Sequence, residues 1–161
     1  MKILIVSDTH GAHGNLDIAM EEEAPFDMMI HLGDVQDGQH YIEAVTDCPL
    51  HMVQGNNDFF ADIPSDKEIK IGSHRAFLTH GHGYRVYMGE ETLVREAKRR
   101  QADIAMYGHT HIPSIREKDG ILVLNPGSLR YPRQEGRLPS YIVMKVENGR
   151  KIEAEIKYIK K

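Results

Sequence analysis

Five short segments carry the side chains capable of chemistry: Asp8-Thr9-His10, Gly33-Asp34, Gly55-Asn56-Asn57-Asp58, His80-Gly81-His82 and Gly108-His109-Thr110-His111. Each ends or follows an apolar stretch. Asp8, His10, Asp34, Asn56, His80, His109 and His111 are the candidate metal ligands, because two divalent cations sharing one carboxylate need about seven oxygen or nitrogen donors. Asp34 is the natural bridging carboxylate. The set holds carboxylate, imidazole and amide but no thiolate, which suits Mn²⁺, Fe, Ni²⁺, Co²⁺ or Zn²⁺ in an open site rather than a closed structural zinc. A hydroxide held between cations roughly 3.5–4 Å apart is a nucleophile near neutral pH, and the same cations neutralise charge on a phosphoryl group. The chemistry to expect is hydrolysis of a phosphate ester.

Taken singly, most of these residues have a plain structural reading. Asp8 would serve as a turn or helix-capping residue, Gly33-Asp34 and Gly55-Asn56 as turns, and His80 as a satisfied strand-end histidine. Gly-His-Thr-His is more specific, and no structural reading uses all five segments at once. Asp8 with His10, and His109 with His111, are two residues apart. An extended backbone would aim each pair to one side.

The elements that must position these groups follow from hydrophobic periodicity. Lys2–Val6, Met28–Leu32 and Leu50–Val53 read as strands, with helical spacing over Asn15–Glu23 and Tyr41–Val45 between them. That alternation implies βαβ units and a parallel sheet. Glu68–Ile71 and Ala76–Thr79 flank a tight turn at Gly72-Ser73. Glu90–Arg100 reads as a helix and Ile104–Tyr107 as a buried strand. Asp119-Gly120 and Asn148-Gly149 are two-residue hairpin signals, separating 114–116 from 121–124 and 141–146 from 152–159. The expectation is one α/β domain over residues 1–161, with two sheets and helices outside. In open α/β sheets the carboxyl ends of strands form the ligand crevice, where most of these donors fall.

Composition limits the partners. Of 161 residues 40% are hydrophobic and the net charge is −4, so no broad attraction to nucleic acid or an anionic membrane is expected. No long nucleic acid and no membrane is therefore anticipated, and a small phosphate ester is the expected substrate. The single cysteine, Cys48, excludes an intramolecular disulfide. Ile3–Val6 is too short for a signal-peptide core, and a reduced cytoplasmic setting is expected. Ten histidines is a high count, and four of them sit in two tight clusters. His13, His31, His40, His51 and His74 are scattered and read as structural or exposed.

The ordered set D-x-H, G-D, G-N-x-D, H and G-H-x-H resembles the calcineurin-like metallophosphoesterase superfamily. Leu124-Asn125-Pro126-Gly127-Ser128, followed by Pro132-Arg133, resembles its small YfcE-like phosphodiesterases. The resemblance implies a two-sheet β-sandwich of mixed strands flanked by helices, a four-layer α/β/β/α fold. It implies one cation on Asp8, His10, Asp34 and His111 and another on Asp34, Asn56, His80 and His109, with Mn²⁺ the expected metal. Many relatives carry histidine where this chain has Asn57. Asn57 cannot act as a general acid, though Asp58 follows it, and His82 is the remaining candidate to contact substrate. Poor turnover of alkyl monoesters and better turnover of diesters or aryl esters follow. Arg130 and Arg133 could clamp phosphate oxygens or form a subunit contact, and a homodimer or homotetramer is possible. Two other functions are weighed: an interaction scaffold of the same fold, as in the retromer subunit that resembles this superfamily, and a nuclease. A scaffold has no need to keep all seven donors, and a nuclease lacks here a basic stripe or aromatic platform.

Overall fold

The computed structural model describes residues 1–160; Lys161, the last residue of the expected domain, lies outside them. Strands β1 (Lys2–Val6), β2 (Met28–His31) and β3 (Leu50–Met52) run parallel, joined through helices α1 (Gly14–Glu23) and α2 (Gln39–Val45). Near the C-terminus β9 (Ser140–Lys145) and β10 (Glu153–Tyr158) complete a first sheet of order β10-β9-β1-β2-β3. Between them come β4 (Asp66–Ile71), β5 (His74–Thr79), helix α3 (Glu91–Arg99), β6 (Ile104–Met106), β7 (Ser114–Lys118) and β8 (Ile121–Asn125). These five strands form a second sheet, β4-β5-β6-β8-β7, parallel at its centre and antiparallel at both edges.

The side-chain period of two, with both faces covered, explains why β1 is apolar at every position from Ile3 to Val6. Ile3 and Ile5 face the second sheet and pack with Ile30, Leu78, Ile104 and Ile142; Leu4 and Val6 face outward against Leu16 of α1 and Ile42 of α2. The second sheet repeats the arrangement, with Phe77, Ala105 and Val123 covered by Leu93, Val94 and Ala97 of α3. The result is the four-layer α/β/β/α sandwich. Asp119 and Gly120 take φ of 52° and 80°, the paired positive values that a two-residue hairpin needs. The Asn148-Gly149 expectation is corrected. Lys145 pairs with Glu153, so a longer loop spans 146–152, and Val146 N–H donates instead to Met1 O at 2.9 Å.

Candidate metal centre

The loops after β1, β2, β3, β5 and β6 meet at one end of the sandwich. Asp8, Asp34, His80 and His111 are buried, and His10 is half-buried. Asp8, His10 and His111 form one group, and Asp8, Asp34 and His80 another, in each of which one ligand atom per residue lies within 4.8 Å of the others. Asp8 Oδ1 stands 3.6 Å from His10 Nε2, 3.8 Å from His80 Nε2 and 3.1 Å from His111 Nε2. Asp34 Oδ2 stands 3.7 Å from His10 Nε2 and 3.4 Å from His80 Nε2.

The pairs separated by two residues do not converge through extended backbone. Asp8, His10, His109 and His111 all adopt left-handed conformations, with φ between 47° and 67°, as does Asp34 at 57°. Strand geometry ends at Val6 and Met106, and the ligand loops turn sharply just beyond. Close approach between loops is possible because Gly55 lacks a side chain: a Cβ there would meet Asp34 N at 2.3 Å.

The outer ring nitrogens decide the chemistry. His80 Nδ1–H donates to Leu32 O at 2.6 Å and His111 Nδ1–H to Tyr131 O at 2.7 Å, while His10 Nδ1–H donates to Gln36 Oε1 at 3.0 Å. A ring that is neutral therefore turns an Nε2 lone pair toward the carboxylates and the other rings. A ring that gains a proton donates from Nε2, as His111 does to Asp8 Oδ1 at 3.1 Å. His10 Nε2 and His111 Nε2 are only 3.4 Å apart. His80 Nε2 is buried with no hydrogen-bond partner. A buried cluster of acceptors facing acceptors is unfavourable unless protons or cations lie between them. Fixing Nδ1–H on an oxygen and presenting Nε2 is the ring arrangement metal-binding histidines use. The donors therefore fit divalent cations.

The charges agree. Burial pushes the Asp8 carboxyl up, but hydrogen bonds from His10 and His111 and the His80 charge outweigh it and hold the group well below the usual range. Burial likewise opposes, and His80 and Asn57 overcome, the ionisation of Asp34, whose pKa falls to about 2. Burial lowers His10 and His80, yet the facing carboxylates raise both above the ordinary imidazole value. His109 moves the other way, to about 4, through burial and the His80 charge.

Other sequence-identified residues take distinct places. His109 joins neither tight group; its ring centroid is 5.1 Å from His80 and its N–H donates to Asp8 Oδ2 at 3.2 Å. Asn56 is exposed in its turn. The neighbouring Asn57 touches Asp34 twice, through N–H to Oδ1 and through Nδ2 to Oδ2, both 2.9 Å. Asp58 is buried, and its carboxylate accepts the N–H groups of Asp34, Gln36 and Gly55, each at 2.8 Å. Its contacts are those of a loop-fixing group. His82 is exposed, with its ring 5.5 Å from His80 and 6.0 Å from His109. Arg133 donates to Tyr87 Oη at 2.6 Å and Arg130 lies over the Tyr131 ring, so neither points a free fork into the cluster.

The sequence reading missed several supporting groups. Gln36 carried no signal. Ser128 was seen only as part of a resemblance, yet its hydroxyl donates to Asp8 O at 2.8 Å and accepts the N–H of Tyr131. Asn125 ties Gly108 O and Thr110 Oγ1 to the turn that holds Ser128. His31, read as structural, is fully buried behind the site, with Nε2–H on Thr9 Oγ1 at 2.9 Å.

The family description "calcineurin-like phosphoesterase superfamily domain" matches residues 1–149. The chain belongs to the calcineurin-like phosphoesterase superfamily. Among its phosphoesterase relatives, the probable metallophosphoesterase YsnB of Bacillus subtilis is 36% identical over 150 residues, covering 92% of this chain and 86% of YsnB. The phosphodiesterase MJ0936 of Methanocaldococcus jannaschii is 30% identical over 145 residues, covering 79% and 83%. A crystal structure of Entamoeba histolytica Vps29 complexed with Zn²⁺ has a TM-score of 0.77 at 20% identity, covering 98% of this chain and 99% of that one. At that identity the likeness concerns the calcineurin-like fold alone. Among the described residues no helix is long and apolar enough to cross a membrane.

Proposed function

We propose that this protein is a metal-dependent phosphodiesterase acting on a small phosphate ester, with two divalent cations, Mn²⁺ foremost, in a cytoplasmic setting. The observation that carries the reading is the buried cluster of two carboxylates and three imidazole Nε2 atoms, above all the Nε2 of His80, which has no hydrogen-bond partner. Asp8, His10, Asp34 and His111 would hold one cation, and Asp34, Asn56, His80 and His109 the other. When bound, such a pair supplies a hydroxide nucleophile near neutral pH and neutralises charge building on the phosphoryl oxygens.

The chain's own residues do the rest. Gln36, Leu32 O and Tyr131 O fix the three rings before substrate arrives. Asn57 steadies Asp34 but has no proton to give a departing alkoxide, so esters with weakly basic leaving groups are favoured. His82, exposed beside His80 and His109, is positioned to meet a substrate oxygen. A non-catalytic scaffold of the same fold would leave the facing lone pairs without a purpose.

The test is hydrolysis of bis(p-nitrophenyl) phosphate by metal-stripped protein with Mn²⁺ restored. Activity should appear with the metal and vanish in Asp34→Asn at unchanged fold. Failure of Mn²⁺, Ni²⁺, Fe²⁺, Co²⁺ and Zn²⁺ alike to support hydrolysis would overturn the reading.

A further inference from the structure

The metal cluster is not covered evenly. Asp8, Asp34, His80 and His111 are buried, whereas His10 and His109 are half-buried, so the centre meets solvent at these two rings. A tyrosine stands beside each. The Tyr131 ring centroid lies 5.1 Å from that of His10, and the Tyr87 centroid 4.7 Å from that of His109. Both tyrosines are exposed, Tyr131 at 51% and Tyr87 at 58%. Each in turn holds an arginine. Arg130 Cζ lies over the Tyr131 ring, 5.4 Å from its centroid, and Arg133 Nη1 donates to Tyr87 Oη at 2.6 Å. Main-chain groups of the same loop fix it on a ligand: Tyr131 O accepts His111 Nδ1–H at 2.7 Å, and Arg133 N–H donates to His111 O at 3.0 Å.

These arginines carry unanswered charge. The chain as a whole has a net charge of −4, yet residues 130–137 hold Arg130, Arg133 and Arg137 against the single acid Glu135. Among the described residues none of the three pairs with a carboxylate, whereas Arg99, Arg100 and Arg116 each do. Like charge gathered on one loop repels itself, and an anion there relieves it. Both guanidinium groups stop at the tyrosines, one ring out from the histidines, so the phosphate under attack is not what they hold. A singly charged diester does not call for them either. Two divalent cations with Asp8, Asp34 and one hydroxide leave one positive charge, which that diester cancels. An arm running outward from the phosphate past Tyr87 or Tyr131 meets a planar donor fork, which matches an oxyanion. Resting on the phosphodiesterase reading above, we infer that Arg130 and Arg133 are specificity residues, and that the substrate is a phosphodiester one of whose arms bears a second negative charge.

The test compares binding of diethyl phosphate, ethyl 2-sulfoethyl phosphate and ethyl phosphocholine to the Mn²⁺-loaded protein by titration calorimetry. The three share the phosphodiester and differ in an arm that is neutral, anionic or cationic. A sulfonate is a poor metal ligand, so chelation does not imitate the effect. Kd should be at least about fivefold lower for the sulfonate than for the diethyl ester at low ionic strength, and the advantage should shrink as salt rises. The choline ester should bind most weakly. In Arg130→Gln/Arg133→Gln the ratio of sulfonate to diethyl affinity should fall toward one, whereas Arg130→Lys/Arg133→Lys should retain most of it. Both side chains are exposed, so the fold tolerates these changes, and light scattering on the same samples reports assembly. A sulfonate that binds no better than the diethyl ester, or a ratio that survives the glutamine substitutions, would overturn the assignment. So would loss of the ratio in the lysine variant, which would make the tyrosine contacts rather than the charge responsible. Dissociation of an oligomer in the glutamine variant would overturn it too, and make the loop a contact between copies. If bis(p-nitrophenyl) phosphate is hydrolysed with none of the five metals, the phosphodiesterase reading itself has failed, and the assignment with it.

Discussion

Replacing Asp58 by asparagine separates positioning from proton chemistry. The carboxylate is 4% exposed and accepts three N–H groups, those of Asp34 and Gly55 on Oδ2 and that of Gln36 on Oδ1. An amide has one oxygen. Its best orientation keeps that oxygen on Asp34 and Gly55 and turns NH₂ against the N–H of Gln36, leaving a buried donor unpaired at a cost of about 1–3 kcal/mol. The two surviving bonds lose their charge assistance, about 1 kcal/mol each. The sum is roughly 3–5 kcal/mol, which for a domain of this size lowers Tm by about 6–20 °C. Circular dichroism melting of metal-free protein measures it, and calorimetric Mn²⁺ titration should show weakened binding, because the same loop carries Asp34 and its partner Asn57. A variant that melts within 2 °C of wild type, binds Mn²⁺ normally and yet loses kcat would refute the reasoning and return Asp58 to the chemistry.

Gly108→Ala should cost metal affinity at least tenfold by calorimetry, since a Cβ there would run first into the Ser7 hydroxyl, which donates to Asp8 Oδ2, and then stand 2.7 Å from Asp8 Oδ2 itself, displacing that carboxylate. Metal-free protein should lose stability on both sides of about pH 6.5. The lowered His31 and His109, both near 4, contribute above 6.5 and lose that contribution as pH falls toward 4. The raised His10 and His80 contribute fully below the ordinary 6.5 and lose that contribution as pH climbs through their folded values. The lowered Asp8 and Asp34 contribute above the ordinary 3.8 and lose it as pH falls, Asp34 toward about 2. A Tm that rises steadily from pH 7 to pH 9 without metal would contradict the sign at His10 and His80. One that rises as pH falls from 3.8 toward 2 would contradict the sign at Asp8 and Asp34. Across aryl and alkyl diesters, kcat/KM should fall steeply with leaving-group pKa, and Asn57→His should flatten that slope; equal slopes in the two proteins would show that another group supplies the proton.

Much of this was legible because it rests on local pattern. β1 and β2 are apolar on both faces, and Asp-Gly at 119–120 calls for positive φ at both positions, so strands and turn fall where periodicity and turn chemistry place them. The ligand loops announced themselves through residue type. What could not be read depends on contacts distant in sequence. Gln36 becomes the orienter of His10 only because β1 and β2 lie side by side, and Ser128 reaches Asp8 across 120 positions. Asn148-Gly149 lies in a turn, but β9–β10 pairing stops at Lys145 and Glu153, which leaves a loop over 146–152 in place of a two-residue hairpin.

The left-handed ligand residues explain why the centre needs so much support. Asp8, His10, Asp34, His109 and His111 together forgo roughly 5–10 kcal/mol relative to relaxed backbone, comparable to a domain's whole net stability. Main-chain bonds hold them there: Asp8 N–H to Gly33 O at 3.0 Å, His10 N–H to Asp34 O at 2.9 Å and Arg133 N–H to His111 O at 3.0 Å. The strain has a measurable consequence at His109, whose φ is 67°. Glycine adopts that conformation freely, whereas alanine does not, although alanine is the better residue almost everywhere else. Both substitutions remove the imidazole. His109→Gly should therefore melt above His109→Ala in the metal-free state, by about 1 kcal/mol or 2–4 °C. An alanine variant as stable as the glycine one would mean that the loop relaxes out of the left-handed region, and that the ligands are not preset by the backbone.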